Sequence, residues 1–206
     1  MASAFKFFLL VATLVFCSQQ AYSRKPYTTE LGERMLFNFL MSKSSSVKTL
    51  SNLKTFKYNN CGDPTKDLAD LTQFVLGPDP LSFPGPLDVS FSVSIKATLD
   101  TPIKADVTLS KKVGDAWLKI PCVGLIGSCT YQDVCQYLGL ITQCPDPFVS
   151  AGIPCQCPFS QGTYTLPTAE FDVEVAIFPS GDYHAIANLT HNTNSIACAE
   201  IYASFD

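Results

Sequence analysis

The run Asp88-Val89-Ser90-Phe91-Ser92-Val93-Ser94-Ile95-Lys96-Ala97-Thr98-Leu99 alternates apolar and polar side chains without a break. Val89, Phe91, Val93, Ile95, Ala97 and Leu99 share one face; the serines, Lys96 and Thr98 share the other. Period-two alternation of this length marks a β-strand with one buried and one wet side. Similar patterns at 68–76, 103–111, 116–122, 170–178, 183–190 and 196–205 predict further strands. Pro- and Gly-rich turn signals separate them, at Gly77-Pro78-Asp79-Pro80, Pro84-Gly85-Pro86 and Pro179-Ser180-Gly181-Asp182. Outward positions rich in Ser, Thr and Asp point to an all-β, two-sheet antiparallel sandwich, solvated outside and apolar inside. Its inward set includes Phe91, Val93, Ile95, Val107, Leu109, Val173, Val175 and Ile177. Such residues either meet as a dry core or splay around a pocket, since lipid pockets and cores use the same side chains.

Downstream of those first strands, six cysteines crowd between Cys122 and Cys157, namely 122, 129, 135, 144, 155 and 157, with Cys61 and Cys198 lying outside. No histidine falls within the cluster, and Cys155-x-Cys157 is too tight for a Cys-x-x-Cys redox or zinc unit, so disulfides are the reading and no metal is expected. Prolines 145, 147, 154 and 158 interrupt regular structure there, and only 131–141 has helical spacing, with Val134, Leu138 and Ile141 on one side.

Residues 1–23 read as a secretory signal peptide: Lys6, the apolar stretch Phe7 to Phe16, and the small-x-small site Ala21-Tyr22-Ser23. Its removal takes away the odd Cys17 and leaves eight cysteines, enough for four disulfides in an oxidising compartment. The rest divides into an N-terminal extension and linker at 24–55 and a β-domain at 56–206. Leu31, Met35, Leu36, Phe39 and Leu40 predict a short amphipathic helix at 28–41, and Ser42-Lys43-Ser44-Ser45-Ser46 a flexible linker, so the extension is expected to be loosely attached.

Charged residues make up 16% of the chain, against roughly 25% in an average globular domain. From Ile120 to Asp206 there are eight carboxylates and no Lys or Arg. An acidic half of this kind repels phosphate backbones, which argues against nucleic acid as a partner. Catalytic residues are not expected. His184 sits in a strand on the face opposite Tyr183, His191 in a polar loop, and no Gly-x-Ser-x-Gly elbow precedes a helix. Glu170, Asp172 and Glu174 alternate along one strand face, which reads as a wet edge rather than a glycosidase pair. Asn188-Leu189-Thr190 is an N-glycosylation sequon, placing Asn188 at the surface.

Three stretches carry a family resemblance: Leu118-Lys119-Ile120-Pro121-Cys122, Ile126-Gly127-Ser128-Cys129-Thr130, and Gly152-Ile153-Pro154-Cys155-Gln156-Cys157-Pro158-Phe159 followed by Gly162-Thr163-Tyr164-Thr165-Leu166-Pro167. They resemble the ganglioside-activator branch of the MD-2-related lipid-recognition group, over residues 56–205 and with all eight cysteines in order. The resemblance implies a β-cup whose splayed sheets enclose an apolar lipid cavity, with one short helix. It also implies the pairs Cys61–Cys198, Cys122–Cys129, Cys135–Cys157 and Cys144–Cys155. It makes the inward set, together with Trp117, the lipid-binding residues, and Lys111, Lys112, Val113 and Trp117 a membrane-contacting rim. A Trp–Lys rim suits an interface with anionic headgroups. A second rim segment, 178–183, is shorter than the family's and lacks its tryptophan.

The expected protein is a secreted or lysosomal, non-catalytic carrier needing no cofactor. It would extract a glycolipid or phospholipid and present it to a hydrolase such as β-hexosaminidase. The alternative is a secreted structural or signalling β-sandwich without lipid transfer.

Overall fold

The computed structural model describes residues 27–42, 56–174 and 178–206. The expected leader and most of the linker therefore fall outside the described residues, as do Val175 and Ile177. Two antiparallel sheets form the body. The smaller runs β2-β3-β7, from β2 (Ala69–Gly77), β3 (Gly85–Ile95) and β7 (Gly162–Val173). The larger runs β1-β9-β8-β4-β5, from β1 (Lys57–Asn60), β4 (Ile103–Val113), β5 (Ala116–Lys119), β8 (Gly181–His191) and β9 (Asn194–Phe205), and β6 (Thr130–Tyr131) also pairs with β4.

The diagnostic alternation does lie in β3, but the strand stops at Ile95 instead of Leu99. Lys96 turns away because its ammonium reaches the carbonyls of Pro64 and Asp67, at 2.6 and 2.8 Å. Leu99 is instead bridged to Phe159. β7 begins eight residues before the expected 170, and Pro167 lies inside it. The β3–β7 register slips between Val89↔Ala169 and Phe91↔Leu166, so Pro167 and Thr168 fill a bulge where a missing backbone N–H costs no ladder bond.

Three helices accompany the sheets among the described residues, α1 (Tyr27–Met41), α2 (Val134–Leu138) and α3 (Asp146–Ser150), of which only α3 was not expected. The expected helix at 131–141 shrinks to α2, because Thr130 and Tyr131 are drawn into the sheet against Asp106 and Ala105. Asp133 then caps α2 by accepting from the Cys135 amide. α3 tolerates Pro147 because it stands in the first turn, where its N–H would have no helical partner.

The described part of the extension, α1, is docked rather than loose. Leu40 is only 2% exposed and clusters with Ile120 and Tyr183, and Phe37, Met41, Leu109, Leu118, Phe178 and Phe205 pack against that cluster. Lys111 Nζ closes the junction by donating to the Leu40 carbonyl at 3.0 Å, satisfying one of the free carbonyls at the C-terminal end of α1. No helix among the described residues is long and apolar enough to cross a membrane.

Four disulfides join Cys61–Cys198, Cys122–Cys129, Cys135–Cys157 and Cys144–Cys155. The second closes a loop in which Gly127 has φ +105°, and a β-carbon there would overlap the Pro121 carbonyl. Only glycine fits both demands.

Candidate functional site: an apolar cavity between the sheets

Along one side the sheets are drawn together: the Tyr58 hydroxyl of β1 donates to the Leu71 carbonyl of β2, and Tyr58 and Phe56 both pack edge-on against Phe74. Elsewhere the faces separate around a cavity of about 510 Å3, lined almost wholly by carbon. Its walls are Leu71, Phe74, Phe91, Val93, Ile95 and Tyr164 from the small sheet, facing Tyr58, Leu189, Ile196, Ala197 and Ala199 from the large one. The volume lies within the usual range of small-molecule sites, roughly 300–1,000 Å3.

The small alanines of β9 matter here. Ala197 and Ala199 contribute short side chains to the large-sheet wall, leaving space where larger residues would close a dry core. The remaining wall comes from the disulfide-stapled segment. Leu138, Ile141, Pro145, Phe148, Ile153, Pro154 and Cys155 all face the interior, and Phe148 packs against Phe91 and Phe171. The segment is tied to the large sheet by Asp133, which accepts from the Ile103 amide at 3.0 Å and from the Thr101 hydroxyl. The Thr101 hydrogen bond, more than the two backbone amides, holds the Asp133 carboxyl below its ordinary pKa.

The outer surface of this segment is mixed: Tyr137, Leu140 and Val149 are exposed, Leu140 by 76%, among exposed Gln136, Thr142, Gln143, Asp146 and Ser150. Between Val134 and Cys155 the only charged residue is Asp146.

A separate apolar pocket of about 180 Å3 is lined by Leu76, Leu81, Leu109, Phe178, Tyr183 and others. The rings of Phe178, Tyr183 and Phe205 pack mutually at 5.1–5.3 Å. Burial raises the pKa of the Tyr183 hydroxyl, which donates to the Pro179 carbonyl.

Residues 55–205 match a family model described as the ML domain. This chain belongs to the ML domain family. Two ganglioside GM2 activators are similar to it. That of Macaca fascicularis is 39% identical over 163 residues, 75% of this chain and 85% of the relative. That of Mus musculus is 38% identical over 165 residues, covering 76% and 85%. Among solved structures, a Niemann-Pick type C2 protein from the Japanese carpenter ant superposes with a TM-score of 0.39 at 14% identity, over 73% of this chain and 99% of that one. ML denotes the MD-2-related lipid-recognition domain, so the chain is a lipid-binding protein by family.

Within this ML domain the expected site residues part company. Phe91, Val93 and Ile95 line the larger cavity. Leu109 lines the smaller pocket, and Val107 and half-buried Val173 line neither. Val107 shares the inward face of β4 with Leu109 but is paired to Ala187, between the two spaces.

Trp117 is not a cavity residue. It opposes Lys112 in the β4–β5 hairpin and therefore points to the outer face, where its ring packs edge-on against His184 and Tyr202. His184 stacks on Tyr202 at 4.3 Å and meets Glu200 at 2.9 Å. Hydrogen bonds from Asn59 foremost, then His184 and Tyr202, hold the Glu200 carboxyl below its usual range. Trp117 thus covers a polar network on the sheet's back.

Trp117 itself is 37% exposed, whereas Lys111 turns inward. It shares the inward parity of Val107 and Leu109, and burial lowers its pKa while its ammonium engages Leu40 and lies over the Tyr183 ring. Lys112 is half-buried and Val113 exposed at the hairpin tip. Asn188 is exposed, but on β8, which is flanked by β4 and β9 and is not a sheet edge.

Sequence reasoning missed the cavity wall at 138–155. The spacing of Leu138 and Ile141 was a signal for it; the non-periodic residues beyond gave none.

Proposed function

We propose that the protein extracts a glycolipid or phospholipid from membranes, holds its tails in the larger cavity and presents the headgroup to a hydrolase, with no catalysis of its own. The observation that carries this reading is the cavity's apolar lining, closed by a wall segment whose single charge is Asp146. Burying a tail contributes about 0.8 kcal/mol per methylene, so ten methylenes offset roughly 8 kcal/mol lost on leaving a bilayer. In this reading, Phe91, Val93 and Ile95 grip the tails, the segment 134–155 yields to admit them, and Lys112 and Val113 touch the membrane.

Residues 1–23 act as the leader and 56–206 as the lipid-binding unit, delivered to the lysosomal lumen or the extracellular space. Asn188 carries a glycan. The resemblance to ganglioside GM2 activators makes a β-hexosaminidase the first enzyme to try. Hydrolysis of a membrane-embedded ganglioside by hexosaminidase should rise when this protein is added. Hydrolysis unchanged at saturating protein would remove the activator role.

A further inference from the structure

α1 lies outside the matched family segment and carries two apolar surfaces, only one of which is used by the fold. Its C-terminal end is docked through Leu40 and the Lys111 hydrogen bond. Leu31, Met35 and Phe39, at i, i+4 and i+8, stand one above another on a free side and are exposed by 47%, 59% and 64%. Leu36, also exposed, lies between this stripe and the docked edge. The described charges, Glu30, Glu33 and Arg34, fall elsewhere on the helix, with Arg34 paired to Glu30 at 3.1 Å.

Four large apolar side chains in one patch on a folded protein mark an interaction surface. Charge indicates the partner. Residues 24–55 carry six Lys or Arg and two Glu, a net +4, whereas residues 56–206 carry seven Lys and sixteen Asp or Glu, a net −9. An acidic body alone is repelled by an anionic bilayer, while a positive sequence around an amphipathic helix is drawn to one. The docked end also holds α1 beside the β4–β5 hairpin, whose tip exposes Val113. A helix lying in the headgroup region buries its apolar face by a few ångströms, which suits a stripe of Leu, Met and Phe.

We infer that α1 is a membrane-docking element: its Leu31–Met35–Phe39 stripe seats the protein on anionic lipid surfaces, independently of the cavity. The inference adds to the lipid-carrier reading and rests on its premise that the protein meets bilayers.

The test is co-sedimentation of the full chain, as processed by the expressing cell, with vesicles of phosphatidylcholine alone or with phosphatidylserine. Uptake of a fluorescent fatty acid supplied as monomer is measured in parallel. The wild-type protein should sediment with the anionic vesicles, release as salt is raised, and bind pure phosphatidylcholine weakly. The double variant Met35→Ser/Phe39→Ser should lose about tenfold or more of its vesicle partitioning while taking up monomeric fatty acid normally. Because both side chains are exposed, the variant keeps the docked face and its folding. Equal vesicle binding by variant and wild type would overturn the inference, as would indifference to phosphatidylserine. So would a protein that ignores vesicles but self-associates in a stripe-dependent manner, which assigns the stripe to a second copy. Loss of fatty-acid uptake in the wild type would instead strike at the cavity reading, with the vesicle result judged on its own.

Discussion

Asp133 shows how one side chain can fix a wall of the site. Its carboxylate accepts from the Thr101 hydroxyl, the Ile103 amide and the Cys135 amide, joining the loop before β4, the first residue of β4 and the start of α2. The folded carboxyl titrates below its ordinary value of 3.8, so the ionised form is the one the fold favours. A depressed carboxylate contributes stability fully above its unfolded pKa and loses it as pH falls through the folded one. Asp133→Asn should therefore lower the denaturation midpoint at neutral pH, with a gap to wild type that stays constant down to about pH 4 and narrows below it. A gap independent of pH would show that the charge is immaterial. Parity at the same scale made some of the site legible in advance. Phe91, Val93 and Ile95 alternate on a strand, so their common face was readable. The same rule, applied to Val107 and Leu109, already turns Lys111 inward; an expectation of rim lysines overrode it. Trp117 was not legible, because its direction depends on the hairpin register that opposes it to Lys112.

Among the elements, α1 and the segment 134–155 define the two ends of what sequence could give. Helical spacing placed α1 to within a residue, yet spacing does not say whether a helix is docked. Docking comes from Leu40, buried among residues far off in the chain. Leu40→Ala should weaken that docking by about 2–4 kcal/mol, as buried leucine truncations do. The loss should appear as faster amide exchange confined to α1 and its contacts, with the sheets unchanged. Protection lost uniformly across the sheets would mean that α1 is integral to the cup. The segment 134–155 was opaque for the opposite reason. It has no period to read: its path is set by Cys135–Cys157 and Cys144–Cys155 and by the Asp133 contacts. β7 was displaced because a proline inside a strand argues against the strand, unless a bulge receives it.

For the molecule as a whole, the cup's ends are tied by Cys61–Cys198, 137 residues apart, and a small loop by Cys122–Cys129, 7 apart. On the chain-entropy model the longer closure contributes about 5 kcal/mol and the shorter about 2.5. Replacing both members of each pair by alanine should reproduce that order in urea denaturation, and equal losses would show that local packing governs instead. Cys61–Cys198 fastens adjacent strands of the large sheet, β1 and β9, which form one wall of the space between the sheets. Whether that space carries lipid is the central claim. Native mass spectrometry of the protein recovered from expressing cells, followed by organic extraction, tests it directly. The account predicts a glycolipid or phospholipid bound at near-unit stoichiometry and a marked loss of it in Val93→Trp, which fills the cavity. A protein that is empty as isolated and takes up no lipid from vesicles at acid or neutral pH would contradict it, leaving a stapled β-sandwich with a different task.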